Sequence, residues 1–321
     1  MAHLVESLFY TSNEANGRFV PWHGLGTPVQ EAPDSSSAIK LAGLDWEVIS
    51  NPVFDSDGKE IKGYKANTRS SDNSVLGIVS NRYKIIQNSK AFDFTDSLIE
   101  DESIRYETAG SLRNGKQIWL LAQMPTTKVL GDDVAPYICF TNTHDGSGAI
   151  RVCLTPIRVV CNNTLNIALS NASRSWSTRH IGDLEAKLIE ARETLELSSR
   201  YMEELDKEAN VLVEKKMTDS DIEAVLDEIF PVDEENDTAR KVRNINEVKD
   251  AFYVCYMMPD IAKFRGTAWG AVQAMSDLVT HMAPTRKSDT YKENNWGRII
   301  NGHPMLDAMV KQVGYSPPAI I

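Results

Sequence analysis

Apolar and polar positions follow two different periods along this chain, and the change from one to the other falls near residue 180. From Trp46 onward the period is close to two, the spacing that sends alternate side chains to opposite faces of a strand. WEVISNPVF and GYKANTR read as a hairpin turned at DSDGKE, where Asp57-Gly58 supplies the turn chemistry, and SVLGIVSNRYKII adds a third strand. KAFDFTDSLIE fits a helix over residues 90–100, with Asn88 or Ser89 as its N-cap. RYETAGSLRNGKQIWLLAQMP is a second hairpin, turning at Arg113-Asn114-Gly115. Residues 149–160 are extended and apolar but carry Arg151, Pro156 and Arg158. Before Trp46 the chain is irregular, punctuated by Pro21, Gly24, Gly26 and Pro28, with one short helix at AIKLAGL.

After Gly182 the pattern is helical. Leu184, Leu188, Ala191, Leu195, Ser198, Met202, Leu205, Ala209 and Leu212 follow one another in alternating steps of four and three. That is a heptad stripe, and it predicts one long helix packed on a helical partner, either within the chain or across a subunit interface. Shorter helices follow over residues 218–229, 247–256 and 268–282, the first opened by a Thr218-Asp219-Ser220-Asp221 cap. Trp269, Val272, Met275, Ser276 and Val279 share one face of the last and read as core. Strands grouped before helices predict an α+β fold: an antiparallel sheet core with a packed helix, then a C-terminal helical region with one long heptad-patterned helix. The expected segments are an irregular 1–45, an α+β core over 46–180, and a helical region over 181–321 that packs on it.

With 321 residues the chain buries a large core. It has no run near the roughly 18 to 20 apolar residues of a membrane span, and its start, MAHLVESLFY, lacks the pattern of a signal peptide. The four cysteines, Cys139, Cys153, Cys161 and Cys255, show no metal-ligand spacing and read as reduced structural thiols of a cytoplasmic protein. The six histidines form no compact ligand pattern, and no phosphate loop of the Walker type is present, so no metal or cofactor is expected.

A net charge of −11 weighs against nucleic acid until its distribution is examined. Residues 183–240 hold 19 acidic and 7 basic side chains, and the remainder is close to neutral. Residues 141–180 carry four arginines against one aspartate. The acidity therefore belongs to the helices and not to this stretch.

Residues 141–180 hold the candidate chemistry. Thr143, His144, Asp145 and Gly146 form a turn, and arginines then recur among residues that must be buried. Arginine offers phosphate a permanent charge and a planar fork. Arg151, Arg158, Arg174, Arg179 and His180 are the candidate phosphate contacts, and Trp176 is a candidate base-stacking surface. Arg151 and Arg158 are seven apart, so one uninterrupted strand would face them oppositely unless Pro156 resets the alternation. Asn162, Asn163 and Thr164 either open a helix whose N–H groups would favour phosphate or satisfy buried backbone. A catalytic alternative pairs His144-Asp145 with His180, or activates Cys161, but Cys161 sits in an apolar run that favours an inert thiol.

RVVCNNTLNIAL, YICFTNTHDGSGAIRV, PWHGLGTPV and FRGTAWGAVQAM together resemble the phage/plasmid-like protein family, also catalogued as domain of unknown function number 932. The resemblance spans most of the chain, with the blocks in the family's order. It implies occurrence on prophages, plasmids and bacterial genomes, and it invites comparison with phage single-strand annealing recombinases at the level of fold alone. The preferred expectation is a single-stranded nucleic-acid binding protein of DNA recombination or repair, without turnover and homo-oligomeric. A nucleic-acid- or nucleotide-processing enzyme using His144 and His180 is the first alternative. An oligomeric interaction protein acting through its acidic helix is the second.

Overall fold

The computed structural model describes residues 5–11, 14–15, 18–19, 27–29, 35–98, 105–158, 160–161, 163–166, 174–196, 198–233, 235–282, 297–298 and 302–314. The fold is α+β, with antiparallel sheets toward the N-terminus and helices toward the C-terminus.

The main sheet has nine strands: β1 (Val5–Thr11), β4 (Thr27–Val29), β8 (Arg105–Leu112), β9 (Gln117–Gln123), β10 (Thr127–Val129), β11 (Asp132–Thr143), β12 (Ile150–Arg158), β13 (Asn163–Thr164) and β14 (Ser175–Thr178). Its order is β13-β12-β11-β9-β8-β1-β4, with β10 on β11 and β14 on β12. Every pairing is antiparallel except β1 with β4. The first 45 residues, expected to be irregular, thus supply two strands to this sheet. A separate two-stranded ribbon joins β2 (Glu14–Ala15) and β3 (Arg18–Phe19). A three-stranded sheet is formed by β5 (Val48–Phe54), β6 (Glu60–Arg69) and β7 (Val75–Ser80).

Register divides the main sheet into two unlike faces. Ile118, Leu120, Phe140, Ile138, Val152, Leu154 and Trp176 lie on one face, which carries the hydrophobic core. Helices α1 (Ser35–Leu41), α2 (Asn88–Leu98) and α3 (Leu184–Glu196) pack there. The opposite face presents Trp119, Tyr137, Cys139, Thr141, Arg151, Cys153, Thr155, Ser175 and Ser177. This alternation makes one face a core and leaves the other able to hold polar groups.

The predicted heptad helix is two helices in the described residues, α3 and α4 (Ser198–Glu214). They meet different surfaces: α3 packs on β14 and β12, while α4 packs on β10 and α7 (Ala268–Asp277). Met202, Leu205, Ala209 and Leu212 are buried in the chain's own core, and the side chains of Leu195 and Ser198 lie outside the described residues. One stripe thus serves two packing jobs. Helices α5 (Asp219–Ile229) and α6 (Ala239–Tyr256) follow, α6 being the longest among the described residues at 18 residues, and α8 (Pro304–Gln312) packs on α5 and α7. Thr218 and Asp221 form the capping box that starts α5, as the Thr-Asp-Ser-Asp run predicts. Every residue of α7 is buried, which makes it the centre of the helical region. No helix among the described residues is long and apolar enough to cross a membrane.

Candidate functional site

Two hairpin turns stand side by side at one end of the main sheet. Thr143 on β11 is the register partner of Gln117 on β9, so the β8–β9 turn at Arg113 to Lys116 and the β11–β12 turn after Thr143 are neighbours. The His144 N–H donates to Lys116 O at 2.7 Å and joins them. Arg113, Asn114 and Gly115 all have positive φ, the geometry of a tight hairpin turn.

The β11–β12 turn is held from several directions. Asp145 Oδ1 accepts from Ser147 N at 2.9 Å, and Thr143 Oγ1 accepts from Gly148 N at 3.2 Å. Asn67 Nδ2 donates to His144 O at 2.8 Å, and the Tyr83 hydroxyl donates to Thr143 O. Gly77 of β7 lies so close that a Cβ there would sit 2.4 Å from Asp145 Cα. The three-stranded sheet is thereby pressed against the turn.

Both histidines of this region have fixed tautomers. Asn88 gives its Nδ2 hydrogens to Leu44 O and Trp46 O, so its Oδ1 is an acceptor and His144 Nε2 must donate to it, at 3.0 Å. His180 Nδ1 must likewise donate to Lys84 O at 2.9 Å. His144 Nδ1 and His180 Nε2 are left as bare lone pairs, both buried with no partner among the described residues. Burial, and then the nearby His180, hold His144 down at about 3 against a weaker opposing pull from Asp145. Burial also lowers His180, whose ring stacks on Tyr83 with centroids 4.4 Å apart.

Two cavities flank the turn, sharing Ser147, Gly148 and Ala149 as a common wall. The larger, about 430 Å³, is lined by Arg113, Arg151, Thr141, Thr143, Ser175 and Ser177 among others. Ser177, Arg151 and Thr141 are register partners across three adjacent strands, so antiparallel pairing itself puts a guanidinium between two hydroxyls. Among its described lining residues are two arginines and no carboxylate. The smaller, about 390 Å³, is lined by Tyr83, Arg179, His180, Ser80 and Ile181.

The residues proposed from sequence fall into separate places. Arg151 lines the larger cavity, and Arg179, exposed, lines the smaller beside His180. Arg174 is half-buried and donates to Leu154 O at 3.2 Å. Arg158 is not available to phosphate, because β12 runs unbroken through Pro156 and turns Arg158 onto the face opposite Arg151. There it is buried, pairs with Asp132 at 2.7 Å and Asp260 at 3.0 Å, and donates to Asp260 O at 2.8 Å. Trp176 is also corrected: it belongs to the core face under α3 and offers no base a stacking surface. Asn163 and Thr164 form β13 and not a helix start, while Asn162 and the PWHGLG segment lie outside the described residues. His281 reaches Cys161 through its carbonyl at 3.2 Å, and the Cys161 thiol lies against the Arg158 guanidinium.

Arg113, Thr141, Ser175 and Ser177 were not singled out from sequence. The available signal was the pairing of two hairpins end to end, which brings an arginine in one turn beside a strand arginine in the next. Among the described residues no cluster of three metal-ligating side chains is present. No curated protein and no solved structure matches the chain. A family model does match over residues 75–298, which include both turns, both cavities' charged residues and α7, and the chain belongs to that family, described as Domain of unknown function (DUF932).

Proposed function

We propose that this protein binds single-stranded nucleic acid through the cleft beside the β11–β12 turn, as a non-catalytic, homo-oligomeric component of DNA recombination or repair. The observation that carries the reading is the lining of the larger cavity: Arg113 and Arg151 with five hydroxyl side chains and no carboxylate among the described residues. Guanidinium forks and hydroxyl donors are the groups that hold phosphate oxygens without reading sequence. The acidity of α3 to α5 is separate from this cleft and repels the same backbone elsewhere, which favours one path for a strand. Met202, Leu205, Ala209 and Leu212 of the heptad stripe are buried within the chain, and sedimentation reads the oligomeric state.

The test is fluorescence anisotropy with labelled single-stranded DNA across a salt series. Affinity should fall steeply with salt, and Arg113→Ala with Arg151→Ala should flatten that slope by about 1 per arginine. No binding at low salt, or an unchanged slope in the double variant, rejects the proposal.

One observation favours a second reading as a phosphoester- or nucleotide-processing enzyme. His180 lines the smaller cavity and keeps an unprotonated Nε2 with no partner among the described residues, the form a general base requires. Cleavage of the labelled strand in the same tube, lost in His180→Gln, would select it.

A further inference from the structure

Cys139 and Cys153 are register partners across β11 and β12. Directly opposed residues of an antiparallel pair point the same way, with Cα atoms about 4.5–5.5 Å apart. A disulfide needs a Cα separation of roughly 4.4–6.8 Å, so the strands already supply the spacing. Neither cysteine is in a disulfide, both are fully buried, and the Cys139 thiol donates to Phe140 O at 3.9 Å.

Their surroundings make them unlike the other two cysteines. The pair occupies the polar face of the sheet, two positions along the strand from Arg151. Ser175 is the register partner of Cys153 and lines the larger cavity, which puts the pair one strand over from a cavity-lining residue. The neighbouring Cys139 thiol, foremost, draws the Cys153 thiol down against the burial that raises it, and Arg174, Arg151 and Thr155 add to the lowering. Burial, foremost, raises Cys139. Cys161 lies against Arg158, and Cys255 lies against Met282 Sδ at 3.3 Å.

We propose that Cys139 and Cys153 are a modification site that closes to an intrachain disulfide on exposure to a peroxide. The Cys153 thiolate attacks one peroxide oxygen, the O–O bond breaks, and the departing oxygen leaves as water with a thiol proton. The Cys139 sulfur then attacks the resulting sulfenic sulfur, forming the S–S bond and releasing the second oxygen as water. Hydrogen peroxide takes up the two electrons and the two thiol hydrogens, and a dithiol reductant reverses the change. Because the pair is already in register, closure requires no strand to slip.

The experiment treats the purified reduced chain with hydrogen peroxide, denatures it, alkylates the remaining thiols and measures intact mass. Of the four cysteines, two should escape alkylation, and the unlabelled chain should be lighter by about 2 Da, the two hydrogens lost. Digestion should yield a linked peptide joining Cys139 to Cys153, and reductant should restore all four alkylations. The double variant Cys161→Ser with Cys255→Ser should give the same link. In Cys139→Ser the link should vanish and oxygen should accumulate on Cys153. Full alkylation after peroxide, oxygen added to Cys153 of the unaltered chain without pairing, or a link through Cys161 or Cys255 would each overturn the proposal. The unaltered chain decides the matter even where a variant folds poorly.

Discussion

Arg158 Nη1 stands 3.0 Å from Asp260 Oδ2, joining β12 of the main sheet to the short turn before α7 across 102 positions of sequence. The same guanidinium takes Asp132 at 2.7 Å, and its side chain is only 3% exposed. Two carboxylates share one buried cation, and removing it takes Asp260's ion pair away while Asp132 keeps only Lys263 among the described residues. Arg158→Ala should therefore cost about 3–5 kcal/mol, read as a lower urea midpoint. Asp260→Asn should cost less, because Arg158 keeps Asp132. Neither change should alter the salt slope of DNA binding, since this arginine faces away from the cleft.

Gly77 and Gly58 separate two reasons for a glycine. A Cβ at Gly77 would meet Asp145 Cα at 2.4 Å and Asp145 Cβ at 2.8 Å, so backbone has to move. A Cβ at Gly58 would meet nothing within 4 Å, but φ there is +78°. Gly77→Ala should cost about 1–3 kcal/mol as overpacking and shift the turn between the two cavities. Gly58→Ala should cost about 1–2 kcal/mol as backbone strain alone. Thermal unfolding measures both costs, and only the Gly77 variant should also weaken DNA binding. Equal effects on binding would detach the turn from the site.

His144 makes stability depend on pH in a definite direction. Its folded value is lowered to about 3 from an ordinary value near 6.5, so the unfolded chain binds the proton first. Stability is full above about pH 6.5 and is lost as pH falls from there toward 3, at up to about 1.4 kcal/mol per pH unit for this group. His180, also lowered by burial, adds in the same direction. Urea midpoints between pH 7.5 and 4.5 should fall, and His144→Gln, which keeps the donor toward Asn88, should flatten the curve. A pH-independent midpoint would mean that His144 is neutral in no privileged sense.

Much of the fold was legible because its signals are local. The Asp57-Gly58 turn, the Arg113-Asn114-Gly115 turn and the Thr218 cap each act within a few residues, and each appears where its residues put it. The heptad stripe says less, because period reports which side of a helix is buried but not against what. Helix α3 packs on β14 and β12 while α4 packs on β10 and α7, so one stripe meets two different surfaces. The site was half legible for a similar reason. Alternation on β12 says that Arg151 and Arg158 diverge, but which of them meets solvent depends on α3 and on Asp260, far away in sequence. Trp176 was misplaced by composition, since an aromatic beside arginines looks like a stacking surface until Val152 is found to be its register partner. Arg113 was passed over because its own turn explained it.

Arg151 and Arg179 lie on opposite sides of the Ser147–Ala149 wall, which makes them the pair that reports the path of a bound strand. A strand that crosses the turn contacts both cavities, and each arginine then neutralises its own phosphate. Arg151→Ala and Arg179→Ala should each reduce the salt slope by about 1, and the double variant by about 2, because separated phosphate contacts release counterions independently. A strand confined to the larger cavity gives a different result: Arg151→Ala flattens the slope and Arg179→Ala leaves it unchanged. Arg158→Ala serves as the internal control, since it removes the same charge from the chain without touching either cavity. If that control flattens the slope as much as Arg151→Ala does, the salt dependence reflects overall charge, and the cleft loses its claim as the binding path.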